Sequence, residues 1–277
     1  MIDRNLISLC LVLVVFALLG CSTGQEVYIP VHTTAQGVTK ELQLEAFIYR
    51  PSGGGKFPAV IFNHGSAGGN PTQSVPSKEQ ARYFVDRGFV VIVPMRRGRG
   101  KSQGVSLETE ERNCDIKSWV PGLNAAFEDI TATIDYAQKL PFVDSSRVIL
   151  AGASRGGFLS VAYASAGSRR SQLSGVINFV GGWVAQAEDN CPVDFNYASF
   201  EEFGKQAKTP MLWLYGENDT FYSSSSIYSY LKAFRDSGGK VDFRFVQGVP
   251  ENGHWLPEYP KLWTGIVDEY LATIGFD

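Results

Sequence analysis

The strongest constraint on the fold is a series of short, unbroken apolar runs. They occupy residues 58–62, 89–93, 148–151, 176–180, 211–215 and 241–246. A strand wetted on one face alternates apolar and polar residues. A strand apolar at every position must be covered on both faces, as in a parallel sheet between helix layers. Segments suited to helices lie around these runs, at 77–87, 123–140, 155–166, 199–206, 225–237 and 262–274. The alternation predicts an α/β fold with a mostly parallel central sheet and helices on both faces. Two earlier segments, 27–33 and 42–49, also read as strands. In the second, Leu42, Leu44, Ala46 and Ile48 alternate with Gln43, Glu45 and Phe47. The chain has 277 residues, 44% of them hydrophobic, with no internal repeat and no dividing linker. One domain covering residues 26–277 is expected.

The first 20 residues are set apart. Arg4 precedes an apolar run at 6–19, which ends in Leu18-Leu19-Gly20-Cys21. That run is shorter than the roughly 18–20 residues a spanning helix needs and fits the core of a signal peptide. The segment resembles a bacterial lipoprotein signal. The resemblance implies removal of residues 1–20, a lipid on Cys21, and a membrane-anchored protein in the periplasm or at the cell surface. Of the four cysteines, Cys114 and Cys191 then remain. An even pair in an oxidising compartment predicts a disulfide. No histidine or further cysteine lies near them in sequence, so no metal site is expected. A net charge of −3 argues against a nucleic-acid binder. Oligomeric state cannot be read from the sequence.

The run at 148–151 leads into Gly152-Ala153-Ser154-Arg155-Gly156-Gly157, a G-x-S-x-G motif between an expected strand and an expected helix. In that setting the serine stands on a sharp turn and its hydroxyl projects above the sheet. Bulk two residues to either side would collide with the turn, hence Gly152 and Gly156. Ser154 is the candidate nucleophile. Two more groups follow in the order such hydrolytic sites require. Asp219 follows the run at 211–215, and His254 follows the last run. Loops at the carboxyl ends of parallel strands share one edge, so the three are expected to converge. Glu217 is the main rival for the acid, with Asp189 and Asp194 further off. Of the other histidines, His32 lies in the first expected strand and His64 follows the run at 58–62.

After that run comes Asn63-His64-Gly65-Ser66-Ala67-Gly68-Gly69. The backbone N–H groups of Ser66 and Arg155 are the candidate oxyanion donors, with Ala67 as alternative to Ser66. His64 is expected to anchor this loop rather than act as a base. With these segments, and with Arg97-Gly98-Arg99-Gly100-Lys101-Ser102 and Gly216-Glu217-Asn218-Asp219, residues 40–275 resemble the α/β-hydrolase superfamily. The nearest branch is dienelactone-hydrolase-like and prolyl-oligopeptidase-like. Authentic dienelactone hydrolases carry a cysteine nucleophile where this chain has Ser154, and authentic prolyl oligopeptidases add a propeller domain. The resemblance implies a Ser-His-Asp hydrolase that needs no cofactor.

The expected activity is cleavage of carboxylic esters through an acyl-enzyme. The alternatives are a small serine peptidase acting on short peptides and a non-catalytic surface binding module. Gly98-Arg99-Gly100-Lys101-Ser102 is not a phosphate loop, because Met95 stands where that motif needs glycine. Its basic residues read as solvated charges on a turn, or, through Arg99, as a contact for an acidic substrate group. Residues 181–209 should form a short lid. Trp183, Phe195, Tyr197, Phe200 and Phe203 would either line an acyl pocket or pack beneath it.

Overall fold

A computed structural model describes residues 24–35, 37–66, 70–108, 116–184 and 194–276. The expectations for residues 1–20, Cys21, Ala67, Cys114, Asp189 and Cys191 lie outside these residues. The described chain forms one eight-stranded sheet, in the order β1-β2-β4-β3-β5-β6-β7-β8. The strands are β1 (Gln25–Ala35), β2 (Val38–Tyr49), β3 (Phe57–Asn63), β4 (Val90–Pro94), β5 (Val143–Ala153), β6 (Leu173–Phe179), β7 (Met211–Gly216) and β8 (Asp242–Val246). β1 pairs antiparallel with β2, and β2 antiparallel with β4. Every other pairing is parallel.

The helices are α1 (Lys78–Val85), α2 (Val120–Lys139), α3 (Arg155–Ala166), α4 (Phe195–Gln206), α5 (Ser224–Asp236) and α6 (Pro260–Thr273). β4 and β7 are buried at every position, so both faces of the sheet are covered. α1 packs with α6, while α2, α3, α4 and α5 pack one against the next. Trp263 of α6 joins its row to the sheet, meeting Tyr83 of α1 edge-on at 4.7 Å and Phe179 of β6 at 5.0 Å between ring centroids. Burying a side chain of this kind stabilises the fold by roughly 1.5–3 kcal/mol.

The expected lid resolves into something else where it is described. α4 begins at Asp194, whose carboxylate caps it by accepting from Asn196 N at 2.9 Å and Tyr197 N at 3.2 Å. Such a cap contributes about 1 kcal/mol. Phe200 and Phe203 are buried, and both rings lie 5.4 Å from that of Phe158 in α3. Phe200 also meets Trp213 of β7 at 4.9 Å. α4 is therefore a layer helix. Its aromatics pack into the core because the sheet face between α3 and α5 would otherwise be bare. Tyr197 faces outward, 42% exposed.

Candidate active site

Parallel strands carry their carboxyl ends to one edge, and the loops leaving β4, β3, β5, β6, β7 and β8 lie along it in that order. At its centre, Ser154 joins β5 to α3 with φ 53° and ψ −124°. A non-glycine residue held there stores strain of about 1–3 kcal/mol. The surroundings enforce it: Ser154 N donates to Phe179 O at 2.9 Å, and Phe158 N donates to Ser154 O at 3.0 Å. A β-carbon on Gly156 would collide with the carbonyl oxygen of Asn63, so the turn approaches β3 this closely only with glycine there.

On the β7–β8 flank, Asp219 and His254 meet. His254 Nδ1 lies 2.9 Å from Asp219 Oδ2, and the Asp219 side chain is fully buried. A carboxylate can only accept, so Nδ1 carries the proton and Nε2 keeps its lone pair. The other oxygen, Oδ1, accepts from Phe221 N at 2.7 Å and Tyr222 N at 3.0 Å. Asn252 ties the two loops together. Its Oδ1 accepts from His254 N at 2.9 Å and Thr220 N at 3.1 Å, and its Nδ2 donates to Thr220 Oγ1 at 2.7 Å. The Phe221 ring stacks on the imidazole at 4.3 Å. Of the rival acids, Glu217 is exposed and Asp194 caps α4. His32 lies out on β1, with its side chain 69% exposed.

On the β4–β3 flank the groups are charged. Arg96 is 1% exposed. It donates from Nε and Nη2 to the Glu108 carboxylate, from Nη1 to His64 O at 2.7 Å and from Nη2 to Gly65 O at 3.3 Å. Arg155 lies 3.6 Å from the same carboxylate and donates to Glu108 O and Trp183 O. Burial alone would raise the Glu108 pKa, but Arg96 and Arg155 overcome it and hold the carboxyl at about 2. His64 Nε2 accepts from Arg96 N at 3.2 Å, and its Nδ1 donates to Gly65 O at 2.6 Å. Burial first, then the Arg96 charge, pushes His64 down to about 3, so it is a neutral anchor for the loop.

That loop reaches the serine: a β-carbon on Gly65 would lie 3.3 Å from Ser154 Cβ. Ser66 follows Gly65 and is exposed. Arg155 N belongs to the first turn of α3, where amide donors have no partner within the helix.

The reading of the basic loop as solvated charge holds for Lys101, whose side chain is 59% exposed, and is corrected for its arginines. Arg96, Arg97 and Arg99 are 1%, 7% and 5% exposed. Arg97 is neutralised by Asp129 of α2, which accepts from Arg97 N at 2.8 Å, Nε at 2.9 Å and Nη2 at 2.6 Å. Arg99 Nε is buried with no hydrogen-bond partner. Trp183 is 2% exposed, 5.7 Å from the Phe158 ring and 4.9 Å beneath the Arg155 guanidinium, so it packs rather than opens to a pocket. Sequence reading missed Glu108, the loop-tying Asn252, and Tyr222. Tyr222 is 2% exposed, its ring lies 5.5 Å from that of His254, and its hydroxyl sits over Gly182, where a β-carbon would stand 2.5 Å from the tyrosine oxygen.

The sequence profile of the dienelactone hydrolase family matches residues 44–254. Probable dipeptidyl-peptidase 5 of Aspergillus clavatus is 27% identical over 230 residues, covering 75% of this chain and 30% of that protein. The chain thus spans less than a third of that relative's length. Among solved structures, Thermogutta terrifontis esterase 2 matches with a TM-score of 0.58 and 19% identity, over 91% of this chain and 95% of that one. A Mycobacterium tuberculosis puromycin-hydrolyzing peptidase matches with a TM-score of 0.61 and 18% identity, over 92% and 41%. At these identities the structural matches speak for the fold.

Proposed function

The chain belongs to the dienelactone hydrolase family and is a hydrolase, and from that premise we propose that it cleaves carboxylic esters with Ser154 as nucleophile, His254 as general base and Asp219 as the orienting acid. One observation carries the proposal. Ser154 stands on a strained strand-to-helix turn, and a buried Asp219–His254 pair at 2.9 Å lies on the same sheet edge. Tyr222, held by Asp219 Oδ1 through its N–H, packs its ring 5.5 Å from the imidazole.

The chemistry follows from these groups. His254 Nε2 takes the Ser154 proton as Oγ attacks the carbonyl carbon. Asp219 fixes the imidazole tautomer and stabilises the cation that forms. The N–H groups of Arg155 and Ser66 receive the negative charge that builds on the carbonyl oxygen. The alcohol leaves with a proton from His254, and water then releases the acid from Ser154.

A second reading, a small serine peptidase, draws support from the dipeptidyl-peptidase relative. Turnover of p-nitrophenyl esters beside aminoacyl p-nitroanilides separates the two. The ester reading expects ester cleavage at least 100-fold faster in kcat/KM, on the order of ~3 kcal/mol. Preferred cleavage of the anilides replaces it with the peptidase. Arg99 is the proposed contact for an acidic group on the substrate. Equal losses on neutral and acidic esters in Arg99→Ala argue against that role. The export reading is likewise a proposal: a lipid on Cys21, membrane attachment, and a Cys114–Cys191 disulfide. Incorporation of labelled palmitate that persists in Cys21→Ser would refute the anchor.

A further inference from the structure

One carbonyl beside the nucleophile is held from two sides. Gly65 O accepts from His64 Nδ1 at 2.6 Å and from Arg96 Nη2 at 3.3 Å. Arg96 also donates from Nη1 to His64 O at 2.7 Å, and its backbone N–H donates to His64 Nε2 at 3.2 Å. The imidazole is thus wedged between the Arg96 backbone and the Gly65 oxygen, and the guanidinium is fixed in turn by the Glu108 carboxylate. Among the described residues every peptide bond is trans. A trans peptide is planar, so the Ser66 N–H points opposite to the Gly65 carbonyl, away from the charged cluster. The same glycine abuts the nucleophile: a β-carbon on Gly65 would stand 3.3 Å from Ser154 Cβ and 4.0 Å from its Oγ. Glycine leaves the chain free to rotate there, and a turned-over peptide would face the reacting centre with its oxygen instead of its N–H.

We propose that Arg96 is a positioning residue for the oxyanion: together with His64 it pins the Gly65 carbonyl, which keeps the Ser66 N–H turned outward and makes it a stronger donor. The inference rests on the reading of Ser154 as nucleophile and of the Ser66 N–H as an oxyanion donor. Two effects act together. The pinned carbonyl stops the peptide from turning over, so no reorganisation is needed when the charge appears. A guanidinium on the carbonyl oxygen draws electron density from the amide, and hydrogen bonds in such a chain strengthen one another. Both effects favour the tetrahedral intermediate, whose oxygen carries the charge, over the uncharged ester. Arg96 therefore works on kcat and leaves KM in place. It acts through one peptide group and does not touch the substrate.

The test is Arg96→Lys, which keeps a positive charge beside Glu108 but cannot bond both carbonyls and the carboxylate. His64→Leu removes the other donor to Gly65 O and leaves the ion pairs intact. On p-nitrophenyl acetate, kcat should fall by about 10–100-fold in Arg96→Lys with KM unchanged, and by a smaller factor in His64→Leu. Two ketones then separate positioning from a general loosening of the site. Ser154 Oγ bonds to the carbonyl carbon of a trifluoromethyl ketone, its proton passes to His254 Nε2, and the ketone oxygen takes the negative charge. The methyl counterpart binds as an uncharged ketone. Inhibition by the first should weaken by the same factor as kcat, and inhibition by the second should hold. Equal weakening of both, or unchanged inhibition by the first, overturns the proposal. If Arg96→Lys does not fold, His64→Leu decides by the same criterion. The parent readings fail differently. A wild type that takes no fluorophosphonate removes the nucleophile, and full turnover in Ser66→Pro, which has no N–H at that position, removes the donor.

Discussion

On the β7–β8 flank of Ser154, the acid and the histidine are held by short hydrogen bonds from backbone amides and by Asn252. On the β4–β3 flank, the loop beside the serine is held by buried charges: Arg96, Arg155 and Glu108 around a neutral His64. The first arrangement fixes angles with local bonds, and each contributes about 1 kcal/mol. The second relies on a carboxylate that cannot be removed without stranding two guanidiniums in a dry interior. The same edge therefore has a flank whose failure should show as lost chemistry, and a flank whose failure should show as lost folding.

Three substitutions or conditions sharpen that contrast. The largest effect is expected from Asp219→Asn. It keeps the shape but can present an amide N–H to His254 Nδ1, favouring the wrong tautomer. Ester turnover should fall by about 10³–10⁴-fold while the thermal midpoint stays within a few degrees. A drop in stability matching the drop in rate would erase the distinction between the flanks. Next comes Glu108→Ala, expected to cost about 3–5 kcal/mol in urea unfolding, because Arg96 and Arg155 lose their shared partner. A cost below about 1 kcal/mol would mean that solvent already screens those charges.

The smallest effect is a slope with pH. His64 sits at about 3 when folded and near 6.5 when exposed. Its neutral form is the folded form, so the stability it contributes is complete above 6.5. That stability is lost as pH falls toward 3, at up to about 1.4 kcal/mol per pH unit. Glu108, held at about 2 against an ordinary 4.5, adds a loss in the same direction only below 4.5. Between 6.5 and 4.5 the slope from this pair belongs to His64. Denaturant midpoints of His64→Gln should flatten in that window, and an unchanged slope would contradict the assignment.

The parts of this architecture readable in the chain share one property: they depend on local pattern. The apolar runs at 58–62 and 211–215 became β3 and β7 because strands buried on both faces need no partner-specific code. β1 and β2 ran further than expected, to Gln25–Ala35 and Val38–Tyr49. Their outer residues are exposed and mostly polar, paired through the backbone and through contacts such as Thr34 Oγ1 to Thr39 Oγ1 at 3.0 Å, which leaves no hydropathy signal. The G-x-S-x-G turn was legible because sterics demand glycine at fixed offsets.

The charged flank was not legible. Nothing in Arg96-Arg97-Gly98-Arg99 says that Glu108 and Asp129 will be buried against it, since that pairing depends on how α2 and the loop after β4 dock. Tyr222 was missed for a related reason. Its spacing from Asp219 is local, but its meaning comes from Gly182 and His254, which only the fold brings alongside.

The most direct test of the account is intact-protein and peptide mass spectrometry after exposure to a fluorophosphonate. The account predicts a single adduct carried on Ser154, absent from Ser154→Ala, with ester hydrolysis lost in step. Labelling on any other residue, or ester turnover that survives in Ser154→Ala, would contradict it.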